Sequence, residues 1–376
     1  MVQLSRRGWR IAAVATSVFT SLAVLPSAPA TAKTSPSSTP TVVASQLHNP
    51  RHLRWERGAL YVAEAGTGGS GPCVTSAEGG DACYGATGSI TRVRHGSQAR
   101  VVRGLPSLAG PTGEGAIGPS DISVDGRRFL VSLGLAQDPA VRATMPANGR
   151  KLGTVAAGRF GRPGLRVVAD VGAYEASANP DGKQVDTNPV ALLDGRRSTY
   201  VVDAGGNSLL SFNRWGDLRT RAVFPTVDTQ IPGAPPGTLR PMDAVPTAAA
   251  IGPDGAIYVS QLTGFPFPVG GASIWRVVPG QTPTKYATGL TNVTDLAFAR
   301  DGSLYAVQLA DQGLLSGSPG SVVRIPRGGG ATHTTVAGNL TQPYGITLHR
   351  DAAYVTTCAT CAGTGEVLRI PLHRHS

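Results

Sequence analysis

Charge is scarce in this 376-residue chain: Asp, Glu, Lys and Arg together make 15% of it, and aromatic residues only 6%. Basic residues outnumber acidic ones, 34 to 23, with Arg far ahead of Lys. They are scattered, however, and no basic run with interleaved aromatics occurs, which excludes a nucleic-acid-binding stripe and leaves a solvated surface. After the N-terminal segment no apolar run is long enough to span a bilayer. No G-x-S-x-G, H-E-x-x-H or P-loop is present. G-x-G-x-x-G occurs as GTGGSG (66–71) and GEGAIG (113–118), but neither opens a helix after a strand, so the dinucleotide reading fails on context. Beyond the N-terminal segment no convincing helical period runs anywhere.

What is abundant is Gly, 49 residues, and Pro, 29, beside 41% hydrophobic residues. That composition suits a core of short strands joined by many turns. The N-terminus is a separate matter. MVQLSRRGWR, then IAAVATSVFTSLAVL, then PSAPATA is a basic, an apolar and a small-residue region in order, the pattern of a secretory signal peptide over residues 1–32. Ser5-Arg6-Arg7 resembles a twin-arginine start, so export by the Sec or the Tat route is open. No Cys lies near the cleavage site, so no lipoprotein is expected. TAKTSPSSTP (31–40) reads as flexible, and past the signal it leaves a leader over 33–40. Removing Arg6, Arg7 and Arg10 with the signal leaves a mature charge of about +8.

From residue 41 onward the chain repeats itself. A Pro or its equivalent, a strand, a tight turn and an alternating strand recur as NPRHLRWERGALYVAE, PSDISVDGRRFLVSL, NPVALLDGRRSTYVVD, VPTAAAIGPDGAIYVSQ, NVTDLAFARDGSLYAVQ and QPYGITLHRDAAYVTT. Each is followed by a third strand, such as SITRV or SIWRVV, and most by a fourth. Six units of four antiparallel strands predict an all-β, six-bladed β-propeller over 41–376. The sixth unit lacks its fourth strand. The segment TPTVVASQL (39–47) can supply it and close the ring, which removes an open edge.

The turn between the first and second strands of each blade is short: ERG, DGR, DGR, PDG, RDG, RDA. The connections from second to third strands are long and varied, and all leave on the opposite face. Among them LTGFPFPVGG in blade 4 places Phe265 and Phe267 on a rigid, Pro-fixed rim. On that face the second strands end in Glu64, Asp203, Gln261 and Gln308. The first strands begin with His52, Asp121 and Asp295, and Tyr344 lies beside them. These residues are expected to converge on one channel mouth. Carboxylates and amides in a ring suit a hard cation, Ca²⁺ or Mg²⁺, with Glu64, Asp203 and Asp295 as candidate ligands. His52 is the candidate general base. A ring of polar groups bonded only to one another is the structural alternative.

Four Cys allow three pairings. Pairing within single loops, Cys73 with Cys83 and Cys358 with Cys361, is favoured in an exported chain. Cross-pairing and a four-Cys zinc site stay open, because blades 1 and 6 are neighbours in the closed ring. CATC (358–361) runs into a strand, not a helix, and so lacks the setting of a redox dithiol.

VVDAGGNSLLSF, VPTAAAIGPDGAIYVSQLTGFPFPVGGASIWRV, LTNVTDLAFARDGSLYAV and GTGEVLRI resemble the ScyD/ScyE family of exported propellers, over residues 41 to 372. The resemblance implies a secreted or periplasmic six-bladed ring and carries no catalytic residues. More distantly the blades resemble NHL-type and TolB-like proteins, streptogramin B lyases and the gluconolactonase group. Two function classes follow. One is a secreted, monomeric binding or accessory propeller that holds a small molecule or cell-envelope component at the mouth. The other is a divalent-metal-dependent lyase or hydrolase acting at the same place.

Overall fold

The computed structural model describes residues 39–75, 79–195 and 197–372. The signal peptide read over 1–32 and nearly all of the leader over 33–40 lie outside the described residues. Six four-stranded antiparallel sheets form a six-bladed propeller. Counted from the channel outward, blade 1 is built on Pro50–Glu56, Ala59–Glu64, Asp81–Arg94 and Ser97–Ala109. Blade 2 is Pro119–Asp125, Arg128–Leu133, Thr154–Arg159 and Arg166–Ala169. Blade 3 is Pro189–Asp194, Thr199–Asp203, Ser208–Phe212 and Leu218–Val223. Blade 4 is Pro246–Ile251, Ile257–Gln261, Ala272–Val277 and Thr284–Leu290. Blade 5 is Val293–Phe298, Leu304–Gln308, Gly320–Ile325 and Thr334–Leu340.

Blade 6 joins the two ends of the described chain. Ile346–His349, Ala352–Thr357 and Ala362–Pro371 come from the C-terminal side, and Thr41–His48 supplies the outer strand. The closing register pairs Thr41 with Arg369, Val42 with Leu368 and Ala44 with Val367. Strand alternation sends apolar residues to both faces of each sheet, and adjacent blades bury them against each other. The core is therefore divided into six wedges, one per blade interface. Between blades 6 and 1, for example, Leu47, Leu60, Val62 and Val367 are all buried. Between blades 3 and 4 the wedge holds Val202, Leu209, Phe224 and Val259.

Three additions were not foreseen from the sequence. A two-turn helix, Val171–Ala178, links blades 2 and 3. It is capped by Asp170, which accepts from Ala173 N, and stopped by Asn179 in the left-handed region. Its residues show no apolar stripe, and it is shorter than the span over which a helical period can be recognised. A hairpin of Val227–Gln230 and Leu239–Met242 stands apart from the blades. The blade 1 insertion adds Cys73–Thr75 to the long third strand. Both disulfides are local, Cys73–Cys83 and Cys358–Cys361. Among the described residues no helix is long and apolar enough to cross a membrane.

Candidate functional site

The polar residues at the ends of the second strands turn back onto the chain entering their own blades. His48 N donates to Glu64 Oε2 at 2.8 Å, Asn188 N to Asp203 Oδ1 at 2.6 Å, and Thr291 N to Gln308 Oε1 at 2.8 Å. Gln261 instead accepts from Trp275 Nε1 at 3.0 Å. Each bond satisfies a donor that the interior would otherwise leave unpaired. Glu64 is fully buried and also accepts from Ser89, Thr91 and Arg100. Burial pushes its carboxyl up, but the hydrogen bonds from Arg100, Thr91 and His48 outweigh it and hold the group below the usual glutamate range.

Asp121 and Asp295 sit at equivalent places three blades apart, on opposite sides of the channel. Ile122 N and Leu192 N donate to Asp121 at 2.7 and 2.8 Å. Leu296 N and Ile346 N donate to Asp295, both at 2.7 Å. Each carboxylate thus ties its own first strand to the next blade's. Burial raises Asp295 to about 6, against the lowering effect of nearby His52.

His52 crosses the axis. Its Nδ1 lies 3.2 Å from Ser120 O in blade 2, and its Nε2 lies 3.4 Å from Thr294 O in blade 5 and 4.0 Å from Asp295 Oδ2. Tyr344 packs edge-on against the imidazole at 5.1 Å, and the Arg51 guanidinium covers the Tyr344 ring at 5.0 Å. Arg51 in turn donates to Ala116 O and Ala359 O. These three side chains close the channel toward the long loops. Beneath them is a cavity of about 290 Å³, with Asp121, Asp295 and His52 at its closed end. Its walls are the first strands, among them Ala191, Leu193, Ala250 and Leu348. Exposure rises from 3% at His52 to 44% at Ile251, so the cavity opens toward the short turns.

The mouth expected on the long-loop face is therefore shut, and the residues predicted to meet there divide into separate groups. His52, Asp121, Asp295 and Tyr344 come together at the axis. Glu64, Gln261 and Gln308 are occupied within their own blades. The FPFP loop lies outside the channel cavity. Phe265 is 42% exposed, with the Arg240 guanidinium 4.9 Å from its ring centre and Phe267 edge-on at 6.3 Å. The Phe267 carbonyl packs against Gly313 of the blade 5 loop. Glu64, Asp203 and Asp295 do not form one metal site: among the described residues no three of His, Cys, Asp and Glu are placed to hold an ion together.

Sequence reasoning passed over a second acidic site. The helix Val171–Ala178 turns Glu175 inward, fully buried, toward Asp203 and Asp186. Only glycine at 205 and 206 leaves room. A Cβ on Gly206 would stand 2.6 Å from Glu175 Oε2 and 3.3 Å from Asp203 Oδ2, and one on Gly205 would collide with Asp186 Oδ1. Burial first, then Asp203, Asp181 and Asp186, push Glu175 up to about 8. Asp203 is raised to about 6, chiefly by burial. The signal was present as three acids in EASANPDGKQVDTNP, but without the helix nothing in the sequence turns Glu175 inward.

No family model matches the sequence, and no curated protein matches it. Solved structures do. A Thermus thermophilus protein assigned as an oxidoreductase (glucose dehydrogenase) superposes with a TM-score of 0.54 at 17% identity, covering 88% of this chain and 99% of that one. A luciferin-regenerating enzyme gives 0.50 at 10% identity, covering 90% and 96%. A virginiamycin B lyase from Staphylococcus aureus gives 0.48 at 9% identity, covering 89% and 99%. At these identities the likeness to the first two is one of fold alone.

Proposed function

We propose that the protein is an exported small-molecule-binding propeller of the ScyD/ScyE type, whose ligand enters the axial cavity from the short-turn face. The observation that carries this reading is the cavity's polarity. Its closed end holds His52 and two pinned carboxylates, Arg54 stands on the wall 3.5 Å from Asp121, and most of the remaining wall is alanine and branched aliphatic side chains. A pocket with a few fixed polar groups over apolar walls orients a ligand with one polar end. Two disulfides and the N-terminal signal-like segment support export. Native mass spectrometry of protein recovered from the culture medium tests the reading. A small bound species is expected in the native protein and is expected to be lost on Ala297→Phe, which fills the wall. Native protein that carries no such species, and whose Tm no compound from an envelope extract raises, would remove it.

A divalent-metal-dependent lyase or hydrolase in the same cavity is the second reading. It is favoured by His52 standing 4.0 Å from Asp295, a base beside a carboxyl group. It is the weaker reading because both oxygens of Asp121 and of Asp295 already accept backbone N–H bonds. A Tm that rises with Ca²⁺ or Mg²⁺, falls with EDTA, and loses both responses in Asp295→Asn would favour it.

A further inference from the structure

Blade 2 departs from the repeat where its second and third strands meet the turn face. Pro119 pairs with Leu133 as Pro50 does with Glu64, Pro189 with Asp203 and Pro246 with Gln261, so the level held by Leu60 with Val93, Thr199 with Phe212, Ile257 with Val277, Leu304 with Ile325 and Ala353 with Ile370 is held in blade 2 by Phe129 with Gly158. These residues plug the lower end of each blade interface, and most are buried. One level nearer the turn, where blade 6 pairs Ala352 with Pro371, blade 2 has Arg128 opposite Arg159. Two like charges directly opposed on a sheet destabilise it, and both are exposed.

The next pair on the same face departs as well. Leu130 pairs with Ala157, whereas the third-strand residue at this level elsewhere is Arg92, Ser211, Arg276, Arg324 or Arg369. The smallest of the six side chains, and the only apolar one, stands in blade 2. The outcome is a cleft of about 670 Å³ between blades 2 and 3, floored by Leu130, Ala157 and Leu165 and edged by Arg128, Arg159, Arg162 and Arg166. Among the described residues none of these four guanidinium groups is engaged in an ion pair or a side-chain hydrogen bond. The two acids on the cleft wall are already occupied. Asp194 accepts from Ser123 Oγ at 2.6 Å, and Asp125 lies 3.7 Å from Arg57 of blade 1.

We infer that this cleft is a binding site for a small amphipathic organic anion, a carboxylate, sulfonate or phosphate on an apolar body. Charge complementarity selects the head, which would sit between Arg128 and Arg159 and relieve their repulsion. Planar guanidinium groups match such oxyanions with paired hydrogen bonds. The apolar floor, opened by Ala157, receives the body. The site is independent of the axial cavity, and neither requires the other.

The probe is 8-anilinonaphthalene-1-sulfonate, titrated by fluorescence into the folded, disulfide-bonded protein. A single saturable site is expected, weakening as salt is raised. Arg128→Ala with Arg159→Ala is expected to weaken it at least ten-fold while leaving Tm unchanged or higher. Ala157→Leu, which keeps every charge, is expected to abolish it by filling the floor. The uncharged N-phenyl-1-naphthylamine is expected to bind poorly to all forms. Sulfonate binding that both variants retain would overturn the proposal, as would equal binding of the neutral probe. Arginine-dependent capture of phosphatidylglycerol vesicles, with no saturable sulfonate site, would also overturn it and assign the face to a membrane surface.

Discussion

Arg100, partly exposed, and the buried Glu64 form an ion pair at 2.8 Å beside the seam where the ring closes. The same guanidinium donates to Gln46 O, and the same carboxylate accepts from His48 N, so the pair grips the N-terminal strand from blade 1. Breaking a buried pair by removing one partner leaves an uncompensated charge and costs about 3–5 kcal/mol. Arg100→Ala is expected to lose stability on that scale. Glu64→Gln keeps the shape and is expected to lose less. The pH dependence has a definite sign. Glu64 titrates lower when folded than when unfolded, so its contribution is complete above the ordinary glutamate range and is lost as pH falls through its folded value. Urea titrations at pH 7 and pH 3 are expected to show the variants and the native protein converging at the acid end.

The N-terminal strand supplies the whole outer edge of blade 6. Deleting residues 41–47 removes the pairing with Val367, Leu368 and Arg369, takes away the buried Ala44 and Leu47, and uncovers Leu60 and Val367 of the same cluster. A sharp fall in Tm is expected, with a smaller denaturant m-value where the opened ring loses part of its cooperative surface. An unchanged Tm would mean that blade 6 holds without its fourth strand.

Asp295 and Asp121 are staples between first strands, and a conservative change exposes that role. Asp295→Asn keeps one acceptor but turns an amide N–H₂ toward Leu296 N–H or Ile346 N–H. Two donors then face each other in a buried place, at a cost of about 1–3 kcal/mol. Asp121→Asn is expected to match it through Ile122 and Leu192. Hydrogen exchange at these four amides, read by NMR, is expected to speed up locally before any global loss. Uniform protection in both variants would show that the carboxylates do not carry the link.

Six copies of one pattern made the blades legible, because period-2 alternation and Asp-Gly turns are local features. The closing strand was legible as a shortfall, three strands where four were needed. Direction was harder. Repeat position placed His52, Asp121 and Asp295 at the axis, but not that His52 would reach from blade 1 to carbonyls in blades 2 and 5. That span depends on the diameter of the ring. Nor did spacing show that Glu64 turns away from the axis, since its partner Arg100 comes from the fourth strand, two strands away across the blade. The Arg128–Arg159 pair was visible only once the strands had a register.

Glu175 gives the last prediction. It is held near pH 8 by burial first and then by Asp203, Asp181 and Asp186, with the Asp186 backbone N–H the one group acting the other way. Neither of its oxygens otherwise has a hydrogen-bond partner. A carboxyl whose folded value is raised stabilises fully below its unfolded value, and that stability is lost as pH rises toward the folded one. Native protein is therefore expected to weaken between about pH 4.5 and 8 as the unfolded chain ionises and the folded chain resists. Glu175→Gln removes the titration and keeps the side-chain volume. It is expected to be more stable than native protein at pH 8 by about 1–3 kcal/mol, and to match it near pH 4. Asp203→Asn does not reproduce the gain, because Asp203 accepts from Thr187, Asn188 and Gly206, and an amide would lose part of that set. Chemical denaturation across this range decides the matter. A Glu175→Gln protein that is less stable than native at pH 8 would mean that the ionised carboxylate is wanted there, and would direct attention to a cation held between Glu175 and Asp203.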